Sequence, residues 1–117
     1  MESFQELKVW QKAHLLVICV YRATKVFPSE EKFGLTSQIR RSAASVPANI
    51  VEGYRRKSDK VLNNFLNIAA GSLEETKYHL ILARDLNYFD VKVFAELFGN
   101  CEEVGRMING LQKRLIT

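Results

Sequence analysis

The sequence predicts an all-α fold, an antiparallel up-down-up-down four-helix bundle with a kinked second helix. Three observations carry this. No stretch alternates apolar and polar residues as a half-buried strand would. Only two prolines and six glycines punctuate the 117 residues, so long helical segments are separated by short joints. The last segment places Phe94, Leu97, Cys101, Val104, Ile108, Leu111 and Leu115 at steps that alternate three and four, the heptad spacing of left-handed helix packing.

Helix one is expected from about residue 4 to 26. Ser3 followed by Glu6 has the pattern of a capping box, which satisfies free amides at a helix start. Pro28 ends the helix, because a residue before proline is pushed out of helical geometry. Pro28 to Leu35 is the longest loop and closes with Gly34. Helix two starts near Thr36 or Ser37, both good caps, and runs to about Gly53 or Arg56. Pro47 inside it removes one backbone hydrogen bond and crowds the Ala43 carbonyl, which predicts a kink. Helix three follows Ser58 and Asp59 and continues to about Leu86, with Asn87 suited to a left-handed C-terminal cap. Asp90 caps helix four, which runs to about Leu115.

Residues 1–117 read as one domain, long enough for a modest core. Helix one is apolar around its circumference from Leu15 to Tyr21, and helix three from Leu80 to Ala83. A lone bundle needs only an apolar stripe on each helix. The surplus predicts a homo-oligomer, against the plainer reading that a little apolar surface stays exposed. Ala43-Ala44 and Ala69-Ala70-Gly71-Ser72 are small enough for close helix approach. Gly71 costs about 1 kcal/mol against alanine in a helix interior, which tight packing there would offset; a mobile spot in the helix is the alternative.

The composition is that of an ordinary globular protein, with 47% hydrophobic and 26% charged residues. Cys19 and Cys101 each fall in apolar helical patterns, as buried free thiols of a reducing compartment do. The N-terminal residues are acidic and lack the basic start of a signal peptide. The longest apolar run, Leu15 to Tyr21, is too short to cross a bilayer. A cytoplasmic protein with no membrane partner is expected.

Catalytic chemistry finds little footing, and neither a catalytic residue, a metal nor a cofactor is expected. His14 and His79 lie on different helices, and Thr76 occupies the position where a bundle di-iron motif needs glutamate. The cysteines lack C-x-x-C spacing. No nucleophile elbow and no phosphate-cradling glycine loop occurs.

The charge is placed more tellingly than its total suggests. Between residues 40 and 60 stand six Lys or Arg and two acids, and this surplus of four equals that of the whole chain. Elsewhere eleven bases meet eleven acids. Leu35, Ile39, Ala43, Val46 and Ile50 follow helical spacing toward the core. Gln38, Arg41, Ser45, Asn49, Glu52 and Arg56 form the neighbouring polar stripe. Arg41 and Arg55 would stand roughly 21 Å apart on similar faces of a straight helix. Arg40, Arg41, Arg55, Arg56, Lys57 and Lys60 thus make two basic patches, and the arginine fork suits phosphate oxygens. These six are the candidate nucleic-acid contacts. The alternative is that they bridge subunits, pair with carboxylates such as Glu52, or are merely solvated. Tyr54 has a face on which a base can stack, although one tyrosine is more often a packing residue.

At this segment the chain resembles a known family, the small four-helix-bundle proteins encoded in intervening sequences of bacterial 23S ribosomal RNA genes. The resemblance is carried by Phe4 to Ala13, Phe27-Pro28, Gly34-Leu35, Gln38 to Arg41, Ser45 to Ile50, and Glu52-Gly53 with Arg55 or Arg56. It continues through Phe65-Leu66, Ile68-Ala69 and Gly71 to Glu75. Val51 stands where the family often has alanine, and Asn87 where it often has glycine. The resemblance implies a ring-like homopentamer. It also implies kinship with basic accessory proteins of diversity-generating retroelements, which associate with a reverse transcriptase and nucleic acid. A ribosomal-protein label travels with the family without showing that this chain is a ribosome component. On the family motif, Arg40, Arg41, Arg55 and Arg56 fall at basic positions, whereas Asn49, Glu52 and Gly53 are assigned to helix packing or a subunit interface; Pro47 and Gly71, on their own residue chemistry, are structural or interface positions as well.

The functional expectation is a non-enzymatic, oligomeric RNA- or DNA-binding protein, an accessory factor to RNA processing or reverse transcription. The rival is a protein-interaction scaffold whose arginines serve subunit or partner interfaces.

Overall fold

A computed structural model describes residues 3–115. Four helices carry the fold: α1 (Lys8–Ala23), α2 (Leu35–Arg55), α3 (Asp59–Asp85) and α4 (Val91–Leu115). Short 3-10 turns at Phe4–Glu6, Thr24–Val26 and Ser29–Glu31 complete the regular structure, and no strand occurs among the described residues. α1 packs on α2 and α4, and α3 packs on the same two helices. Contacts between neighbours run in opposite senses. Ser45 meets Ser72 and Ser42 meets Thr76 across α2 and α3. Gln112 reaches Asn63 and Asn67, while Lys77 lies over the Phe98 ring, across α3 and α4. The bundle is therefore antiparallel and measures 44 × 23 × 20 Å.

The core follows the apolar spacing. Leu35, Ile39, Ala43, Val46 and Ile50 of α2 are buried, as are Leu97, Cys101, Val104 and Ile108 of α4. Phe94, Leu111 and Leu115 pack against that core. Each fully buried leucine or isoleucine, such as Leu16, Leu66 or Leu80, contributes about 1.5–3 kcal/mol. Both thiols are free, and Cys101 is buried in the bundle interior. That burial pushes its pKa up to about 12.

The ends of the helices depart from the sequence-based expectation in two places. Helix one does not begin at residue 4. Leu7 is extended (φ −72°, ψ 122°) and caps α1, so the preceding 3-10 turn stands apart. Ser3 does cap that turn, its Oγ accepting from the Gln5 amide. α2 begins at Leu35, ahead of Thr36 and Ser37, with Gly34 as its N-cap residue. The capping oxygen comes from Glu31, whose Oε1 accepts from the Leu35 amide at 3.0 Å. Gly34 makes this possible, because a Cβ there would lie 2.6 Å from that oxygen. Pro47 is buried within an unbroken α2.

Asn87 adopts the left-handed conformation expected of it, with φ 61°. Its amide donates to the Arg84 carbonyl and that of Tyr88 to the Ala83 carbonyl, the paired bonds of a Schellman motif. Ser58 Oγ caps α3 by accepting from the Val61 amide, and Asp90 Oδ1 caps α4 by accepting from the Val93 amide.

Candidate nucleic-acid interface

α2 and α3 approach closely because small residues line their seam. Gly53 is buried there, and an added Cβ would fall 2.8 Å from Phe65 Cβ and 2.9 Å from Leu62 Cδ1. Higher in the seam, Thr76 Oγ1 donates to Ser42 Oγ, and the Ser45 and Ser72 hydroxyls share a bond of 2.8 Å. Asn49 Nδ2 donates to the carbonyl and the hydroxyl of Ser45. Asn49 thus acts within α2, holding the Ser45 hydroxyl that meets Ser72, whereas Gly53 is part of the α2–α3 contact. Gly71 is not: it is exposed, and a Cβ there would meet nothing within 4 Å. The close approach expected at Gly71 does not occur within this chain.

This seam fixes how α2 presents its bases. Arg40 turns inward along the bundle's upper end. Its Nε donates to Thr24 Oγ1 at 2.9 Å, its Nη2 to the Tyr21 carbonyl, and its guanidinium stacks 4.6 Å from the Tyr21 ring centroid. Arg40 ties α2 to the end of α1, so its side chain is occupied within the fold. Arg41, one residue on, is exposed.

Arg55, Arg56, Lys57 and Lys60 gather, all exposed, around the α2–α3 turn. Arg56 Nη2 lies 3.5 Å from Glu52 Oε2, and its guanidinium sits over Phe65. Both members of that ion pair are more than half exposed, so it contributes a few tenths of a kcal/mol at most. Lys57 sits at the turn in the left-handed region with φ 56°. Arg55, Arg56 and Lys57 also complement the negative end of the α2 dipole, which is the structural part of their role.

Three bases that sequence spacing does not connect with these lie at the same end. α1 begins there with Lys8, and α4 ends there with Lys113 and Arg114. Lys8 and Arg114 line one groove together. Among the described residues, that end of the bundle carries Lys8, Arg55, Arg56, Lys57, Lys60, Lys113 and Arg114 against Glu6, Glu52 and Asp59. The charge is concentrated by the antiparallel topology, since sequence separation hides it. Arg41 belongs to a separate place, about 21 Å up α2.

Beside this cluster a cavity of about 610 Å³ opens between the first 3-10 turn and the end of α2. Phe4, Val51 and Tyr54 contribute apolar side chains to its lining, and Glu52, Arg55 and Lys57 charged ones.

Elsewhere the described residues offer less chemistry. His79 Nε2 lies 3.1 Å from Glu75 Oε2, and His14 stacks on Trp10. No three His, Cys, Asp or Glu side chains among the described residues come together as a metal site requires. No helix among them is long and apolar enough to cross a membrane.

A family model described as 23S rRNA-intervening sequence protein matches residues 5–110. Among solved structures, a protein with unknown function from the S23 ribosomal protein family of Bacteroides thetaiotaomicron is similar to this chain, with a TM-score of 0.80 and 25% identity. The match covers 90% of this chain and 98% of that one. No curated protein matches the sequence significantly.

Proposed function

The chain belongs to the 23S rRNA-intervening sequence protein family, and from that premise we propose that it is a non-enzymatic, oligomeric nucleic-acid-binding protein. In this reading it serves as an accessory factor to RNA processing or reverse transcription in the cytoplasm. The observation that carries the proposal is the basic end of the bundle, where seven bases face three acids among the described residues. Such a localised field attracts a polyanion and holds it through phosphate contacts. Arg55, Arg56, Lys57 and Lys60 are the principal contacts, Arg41 is an outlying one, and Arg40 acts by positioning α2.

Fluorescence anisotropy with labelled RNA and DNA, across a salt series, tests this. Binding is expected to weaken steeply with salt. Replacing Arg55 and Arg56 by alanine is expected to lower affinity for all sequences alike. The same change should flatten the log–log slope by roughly 0.7–0.9 for each phosphate no longer neutralised. A folded double variant with unchanged affinity and slope would remove these residues from the site.

A second reading, a protein-interaction scaffold, is favoured by one observation. Leu15, Ile68 and Tyr78 are each about half exposed, at 52%, 51% and 58%. Capture of a protein partner that survives nuclease and high salt would support it.

A further inference from the structure

We infer that the cavity between the first 3-10 turn and the end of α2 is a stacking pocket for one unpaired nucleotide of a single strand. The inference rests on the nucleic-acid reading above and names what one end of the site takes. The cavity, at about 610 Å³, falls within the size of small-ligand sites, about 300–1,000 Å³. Its lining brings together two kinds of group. Phe4 and Tyr54 bring aromatic side chains to it, and Val51 an apolar one. Arg55 and Lys57 line the same cavity and are exposed, and within the proposal they are the groups that meet a phosphate. Aromatic faces bordered by cations are how single strands are held without sequence preference.

The Phe4 wall is pre-set. Its ring packs edge-on to Trp10, with centroids 5.0 Å apart at 74°. Ser3 caps its turn, and Gln11 Nε2 donates to the Gln5 carbonyl at 2.8 Å. Little ordering of that wall is left to occur on binding. Among the described residues Glu52 is the one acid in the lining, and the nearby Arg56 partly offsets its charge. A duplex keeps its bases paired and stacked and so offers this pocket nothing, whereas the neighbouring phosphate contacts serve either form.

The test compares a twelve-nucleotide single strand carrying 2-aminopurine, as RNA and as DNA, with a twenty-base-pair duplex. The wild-type protein is expected to prefer the single strands and to change the 2-aminopurine fluorescence on binding. Tyr54→Leu is expected to weaken single-strand binding roughly five- to hundredfold and leave duplex binding within about twofold of wild type, while Tyr54→Phe retains both. Circular dichroism confirms that each variant is folded, and the wild-type fluorescence change reads the stacking without any substitution. Equal binding of both forms with a silent 2-aminopurine would overturn the pocket while leaving phosphate binding intact. Absence of binding to every strand at low salt would overturn both.

Discussion

Two glycines on neighbouring helices have opposite surroundings, and substitution should separate them. At Gly53 an added methyl meets the Phe65 and Leu62 side chains below 3.0 Å. Gly53→Ala is expected to destabilise the protein by about 1–3 kcal/mol, read as a lower urea midpoint. At Gly71 the methyl meets open space. Gly71→Ala is expected to raise stability by about 0.5–1 kcal/mol through helix propensity. A drop in stability instead would place another subunit's backbone against that turn of α3. Lys57 presents a third case, because it carries a conformational cost at a charged site. An L-residue in the left-handed region costs about 1–2 kcal/mol, and glycine relieves it. Lys57→Gly is expected to stabilise the fold while lowering nucleic-acid affinity, so chemical denaturation and anisotropy should move in opposite directions.

Between elements, the clearest device is the bridge from the α1–α2 connection to the α3–α4 connection. Tyr88 donates its hydroxyl proton to Glu31 Oε2 at 2.6 Å, while Glu31 Oε1 caps α2. The bond from Tyr88, and then the Leu35 amide, hold the Glu31 carboxyl below its ordinary value of 4.5. Glu31 in turn raises Tyr88 above 10.0. A depressed carboxylate contributes stability above its unfolded pKa and loses it as pH falls through the folded one. The thermal midpoint of the wild type should therefore exceed that of Glu31→Gln at pH 7, and the gap should close below about pH 4.5. A gap that persists unchanged at pH 3 would assign the effect to packing. This bridge also marks what a sequence can and cannot tell. The α4 heptad is legible because its period is local, and Asn87 because αL caps favour asparagine. The true start of α2 is not, since its cap depends on Glu31, on a missing Cβ at Gly34 and on a tyrosine 57 residues away. Arg40 reads as a surface base in the sequence for the same reason: its partners, Thr24 and Tyr21, reach it only through the turn that ends α1.

For the whole molecule, antiparallel packing makes a rod with one basic end. The residues of α2 at that end are legible as a charge cluster, but Lys8, Lys113 and Arg114 join them only once the chain has doubled back. The exposed apolar residues on the flanks, Leu15, Ile68 and Tyr78, motivate the proposal of an oligomer. Light scattering after gel filtration is expected to give a multiple of the 13.4 kDa chain mass, with five copies the expectation from family resemblance. Ile68→Glu with Tyr78→Glu is expected to shift it to monomer with helix content unchanged. A wild-type monomer would leave these side chains as ordinary surface.

The buried Cys101 thiol has a use that concerns time. Its proton is held to about pH 12 and no alkylating reagent reaches it in the closed bundle. With the half-buried Cys19 replaced by serine, the rate at which iodoacetamide labels Cys101 becomes a clock for how often the bundle opens. A polyanion bound across the basic end should slow that clock if it fastens the helix ends together, and leave it ticking at the same rate if it grips α2 alone.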